Sequence, residues 1–114
     1  VITFNRDKDV VLDSIIPIEK IKAPILILSS KNDSVWPSYE SGTYIEDKLT
    51  EIDYPYEHKH VAYENMSHAL LTHLPIIYKL AFKSERENGR ACTIDRNNMK
   101  MELLNWVNDV WNLY

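Results

Sequence analysis

The chain has 114 residues, with 13 Lys+Arg against 17 Asp+Glu and a formal net charge of −4. That length suits one domain at most, and the mild acidity argues against a nucleic-acid binder, which would carry a basic face. Hydrophobic residues make up 45% and charged residues 26%, enough apolar surface for a core and too much for a disordered chain.

Only 2 glycines occur. No glycine-rich phosphate loop can be written, and the nucleophile elbow G-x-S-x-G is absent. The single Cys92 cannot form an internal disulfide, so nothing requires an oxidising compartment. No apolar run approaches the roughly 18 residues of a membrane span, and no secretory signal is recognisable. These features read as a cytoplasmic protein with no membrane contact. The chain begins at Val1 rather than Met, which reads as a segment of a longer polypeptide.

Along the chain, Asn5 to Asp9 predicts a turn, followed by apolar clusters at Val10–Leu12 and Ile15–Ile16 that Pro17 stops. Ile18–Lys22 suits one short helical turn. Ile25–Leu28 is a continuous apolar run of strand length, expected to be buried on both faces of a parallel sheet. Ser29–Ser34 follows as a polar loop. Ser38–Ile52 predicts a helix, with Ser38 as N-cap and Ile45, Leu49 and Ile52 on one face. Glu57–Tyr63 predicts a second strand, with His58, His60 and Ala62 on one side and Lys59, Val61 and Tyr63 on the other.

Glu64–His68 is then a loop. Ala69–Phe82 reads as a loop with a short helix, and Lys83–Thr93 as a polar, exposed stretch. The last helix is expected from an N-cap at Asp95 to Tyr114, with a stripe of Leu103, Val107, Val110 and Tyr114 widened by Leu104 and Trp111. This alternation implies an α/β fold with a parallel sheet. Two strands make an incomplete sheet, so residues 1–114 read as the C-terminal part of a larger α/β domain, with an exposed edge open to pairing with another copy.

Asp33 lies just past the first strand and His68 just past the second, the edge at which open α/β sheets bind ligands. An acid after one strand and a His after the next match the second half of an α/β-hydrolase triad, whose chain order is Ser, acid, His. Such a His takes a proton from the nucleophile and returns it to the leaving group, while the acid holds its tautomer. As a structural alternative, Lys-Asn-Asp-Ser is good turn chemistry, and His68 can simply bond a loop carbonyl.

Several segments resemble one known family. Ile16–Leu26 looks like the approach to the acid-bearing strand in the acyl-CoA thioesterase and bile acid-CoA:amino acid N-acyltransferase family. Asn32-Asp33-Ser34-Val35-Trp36-Pro37-Ser38 is similar to its D-D-x-x-W-P-S signature, and Tyr63-Glu64-Asn65-Met66-Ser67-His68 to its Y-x-x-A-G-H loop. Gly89-Arg90-Ala91 and the helix bearing Trp106 look like its closing G-x-A segment. The resemblance spans Ile15 to Tyr114. It implies an α/β-hydrolase fold, Asp33 as triad acid, His68 as triad base, an acyl-CoA or ester substrate, and neither metal nor redox cofactor. The nucleophile is expected outside this chain, which alone would be inactive. Ser30, Asn32 and Ser67 depart from the pattern, replacing Gly, Asp and Gly respectively; Ser adopts a glycine-type backbone less easily.

Other residues read as structure. His58 and His60 share a strand face and could start a zinc site, but structural zinc takes four ligands and His73 is remote in sequence; exposed strand histidines are the expectation. Cys92 follows both the acid and the His, the wrong order for a nucleophile, and Asn65-Met66-Ser67 is a chance glycosylation sequon. The Met and Trp residues of the last helix are expected in the core. Two further readings stay open: a non-catalytic module that binds a partner or oligomerises, and another hydrolase, an esterase or peptidase, with the same acid and His placement.

Overall fold

A computed structural model describes residues 16–113. The turn expected at Asn5–Asp9 and the apolar clusters up to Ile15 lie outside that range. A 3-10 turn at Ile18–Lys20 leads into β1 (Ile25–Ser30), α1 (Ser38–Glu51) and β2 (His58–Tyr63). Three helices follow, α2 (Ile76–Ala81), α3 (Lys83–Glu87) and α4 (Gly89–Asp109), then a 3-10 turn at Trp111–Leu113.

The two strands pair in parallel, with Ile25 opposite His58 and Ser30 opposite Tyr63. The period-two alternation of a strand therefore sets His58, His60 and Ser29 on one face and Lys59, Val61, Tyr63 and Leu28 on the other. Helix α1 covers the first face, where Glu46 bonds His58 and Gly42 abuts His60. Helix α4 covers the second, where Met99 and Leu103 pack with Leu28, Val61, Tyr63 and Met66. Helices on both faces of a parallel pair form a small mixed architecture compatible with an α/β fold.

Three expectations are corrected. Ile25–Leu28 is half-buried rather than buried, because two strands and two helices cannot enclose it from every side. The last helix starts at Gly89, six residues before Asp95, and Asp95 accepts bonds from Asn65 instead of capping. Its buried side chains are Cys92, Arg96, Met99 and Trp106, with Val110 just beyond. Val107, Leu104, Met101 and Trp111 of the expected stripe or core are exposed.

Helix α1 stops where expected. Asp53 takes a left-handed backbone (φ 52°), and the N–H groups of Asp53 and Tyr54 bond back to Thr50 and Leu49 at 3.2 and 3.0 Å. This is the Schellman arrangement, with Asp in the usual glycine position. Tyr54 is thereby buried, and its hydroxyl bonds the Ala23 carbonyl at 2.8 Å, pinning the approach to β1. Among the described residues no helix is long and apolar enough to cross a membrane.

Candidate active site

The parallel pairing ends at Ser30 and Tyr63, so the loops carrying Asp33 and His68 emerge side by side. Ser38 shapes the first loop. It is the first residue of α1, not its cap, and its hydroxyl faces back to β1. It accepts the Ser30 N–H and donates to the Ser30 carbonyl, each at 3.1 Å. The loop is thus closed across eight residues.

Within it, Asp33 Oδ1 accepts the N–H groups of Val35 and Trp36, both at 3.0 Å. This Asx turn uses the local bonding that makes Asp a turn residue. The Asp33 side chain is 1% exposed, while that of His68 is 44% exposed. His68 Nδ1 lies 3.0 Å from Oδ1 and 2.9 Å from Oδ2 of Asp33. Burial pushes the Asp33 carboxyl up, but the bonds from His68, Trp36 and Val35 outweigh it and hold the group below the ordinary value of 3.8. Asp33 is therefore an anion at neutral pH. With Nδ1–H donated to it, Nε2 is the ring nitrogen left to exchange protons with a reacting group.

The structure thus unites both residues singled out in the sequence. The three departures from the family pattern also acquire roles. Ser30 Oγ donates to the Met66 carbonyl, joining the acid loop to the His loop. Asn32 Nδ2 donates to the Asn65 carbonyl at 3.4 Å. Ser67 Oγ donates to Glu85 Oε1 at 2.9 Å. Among the described non-glycine residues only Asp53 has positive φ, so Ser67 carries no glycine-type backbone and the expected strain there is absent.

Residues outside the sequence reading support this loop. The stretch expected to be exposed holds Glu85, 5% exposed, which pairs with Arg96, 6% exposed; Arg96 Nη2 lies 2.7 Å from Glu85 Oε1. A charged side chain in a polar stretch reads as solvated, and only its tertiary partner reveals otherwise. A polar cleft opens between Asn32 and Ser34 of the acid loop and Lys83, Ser84 and Glu87 of α3.

The remaining candidates serve structure. His58 and His60 are half-buried under α1, not exposed. His58 Nδ1 pairs with Glu46 at 2.8 Å, and His60 Nε2 lies 2.6 Å from Ser29 Oγ. Burial lowers the His60 pKa against the opposing pull of Glu46 and Asp47. Among the described residues no three His, Cys, Asp or Glu side chains gather as a metal site. Cys92 is fully buried, and burial pushes its thiol up to about 11, which deprives it of nucleophilic thiolate.

The family model described as BAAT / Acyl-CoA thioester hydrolase C terminal matches residues 2–82. That span holds both strands, both loops and the Asp33–His68 pair; it stops short of Gly89-Arg90-Ala91 and α4. No curated protein and no solved structure matches the chain. Covering well over half of the 114 residues, the match establishes that the chain belongs to the BAAT / acyl-CoA thioester hydrolase C-terminal family.

Proposed function

We propose that this chain supplies the acid and the base of a Ser/Cys–His–Asp triad that acts on acyl-CoA thioesters. The observation that carries this reading is the bond from His68 Nδ1 to the buried Asp33 carboxylate, formed at the carboxyl ends of two adjacent parallel strands. The family match supports the thioester as substrate. The nucleophile belongs to a part of the α/β-hydrolase domain outside residues 1–114. The half-buried Ile25–Leu28 and the exposed Ile76, Ile77 and Leu80 of α2 support further strands and helices packing on this segment.

In this reading His68 Nε2 takes the proton of the nucleophile as the latter attacks the thioester carbonyl. The C–S bond then breaks, and His68 returns the proton to the departing thiolate. In the second half-reaction His68 deprotonates the acceptor, water or an amine, as it attacks the acyl carbonyl; the bond between the acyl group and the nucleophile then breaks, and His68 returns the proton to the freed nucleophile. Asp33 stays ionised throughout and stabilises the imidazolium.

The test is turnover of acyl-CoA by the full-length protein, followed as free CoA thiol. Asp33→Asn keeps an oxygen for the Val35 and Trp36 N–H groups while reversing the preference at His68 Nδ1. It is expected to lower kcat on the order of 10³–10⁴-fold with the fold intact. His68→Gln is expected to lose at least as much. Full turnover in either variant would sink the assignment.

A further inference from the structure

We infer that Glu85 and Arg96 are positioning residues for His68, a reading that rests on His68 being the base proposed above. The ring of His68 is substantially exposed and bonds the Asp33 carboxylate. Its aim therefore depends on how firmly its backbone is held.

The backbone is held from both sides by one ion pair. Before His68, Ser67 Oγ and the Ser67 N–H donate to Glu85 Oε1 at 2.9 and 3.4 Å. After it, Arg96 Nη2 donates to the Ala69 carbonyl at 3.2 Å and Arg96 Nε to the Leu71 carbonyl at 2.8 Å. The same guanidinium grips both Glu85 oxygens, Nη2 to Oε1 at 2.7 Å and Nη1 to Oε2 at 3.3 Å. Glu85 lies on α3 and Arg96 on α4. The loop is thus tied to two helices, α3 and α4.

Stability alone does not account for this pair. A buried ion pair roughly breaks even against apolar residues of similar volume, because desolvation offsets the attraction. A planar fork of fixed donors, by contrast, can hold a carboxylate and two carbonyls in one geometry. Lys has the charge and lacks the fork.

Three variants of the full-length protein test this. Arg96→Lys keeps the charge, and Glu85→Leu with Arg96→Met replaces the pair by apolar bulk. Ser67→Ala removes one hydroxyl. Arg96→Lys and the double variant are expected to lower kcat at least tenfold, with KM within twofold, at a temperature where each remains folded. Ser67→Ala is expected to lower kcat severalfold. The NMR signal of the His68 Nδ1 proton, held downfield by Asp33, is expected to broaden or vanish in the first two. A folded double variant with parental kcat and an unchanged Nδ1 signal overturns the inference. If the double variant does not fold, parental kcat and signal in both Arg96→Lys and Ser67→Ala overturn it instead. If the parent turns over no acyl-CoA, the hydrolase reading fails on its own, and the Nδ1 signal alone decides the positioning role.

Discussion

His60 occupies the space that any side chain at residue 42 would need. A Cβ on Gly42 would lie 2.5 Å from His60 Nε2 and 2.8 Å from Cε1. The ring cannot retreat freely, since Ser29 Oγ holds Nε2 at 2.6 Å and Tyr39 sits against it at 5.9 Å between centroids. Glycine at mid-helix normally costs up to about 1 kcal/mol against alanine. Here it lets α1 approach the sheet that carries the Asp33 loop.

Gly42→Ala is therefore expected to destabilise despite its better helix propensity. Overpacking of this kind costs about 1–3 kcal/mol, which exceeds the propensity gain and lowers Tm by a few degrees. Gly89 is the contrasting case: beyond its chain neighbours and its own helix backbone, nothing lies within 4 Å of its added Cβ, and its φ is not positive. Gly89→Ala is expected to stabilise by about 0.4–1 kcal/mol through the unfolded chain. Thermal melts of the two variants check both signs.

Glu85 gives the protein an acid-sensitive contact. Burial pushes its carboxyl up, but the bonds from Arg96 and Ser67 and the Arg96 charge outweigh it and hold the group below the ordinary 4.5. A depressed folded-state value means the unfolded chain binds the proton more readily. The contribution of Glu85 is complete above about pH 4.5 and drains away as pH falls through the lower folded-state value. Glu85→Gln leaves Arg96 buried without its anion, at an expected cost of about 3–5 kcal/mol at pH 7. Urea midpoints at descending pH should show parent and variant converging below pH 4.5. A constant gap from pH 7 to pH 3 would contradict the pairing.

Cys92 is expected to resist thiol reagents in the native protein. It is fully buried, its Sγ lies 2.9 Å from the Asn65 carbonyl, and its thiol is pushed up to about 11. The thiolate fraction at pH 7.5 is then on the order of 10⁻³–10⁻⁴. Iodoacetamide should label Cys92 slowly in buffer and rapidly in concentrated urea. Equal rates would mean that the packing of α4 against the His loop does not persist in solution.

Some of this was legible residue by residue. The apolar run Ile25–Leu28, the helical spacing of Ile45 and Leu49, and the alternation through His58–Tyr63 each express a local period, and β1, α1 and β2 form there, although Ile25–Leu28 is only half-buried and Ile52 lies exposed just past α1. Asp33 and His68 were also recognisable, because they follow strands within motifs that resemble a known family. A local period survives in one dimension, which is why it can be read there.

The tertiary structure alone decided which surface of α4 is buried and what holds the His68 loop. Helix α4 carries apolar residues on more than one side. Burying Met99 rather than Leu104 depended on where the sheet face of Val61 and Tyr63 lies. Glu85 and Arg96 look solvated in sequence, since an isolated charge is strongly hydrated. Their burial becomes affordable only when folding brings each to the other, 11 residues apart on two helices, with Ser67 and two loop carbonyls completing their bonds. Local pattern determined the elements of this protein; mutual desolvation and hydrogen bonding, which exist only between elements, determined how the His68 loop is held to α3 and α4.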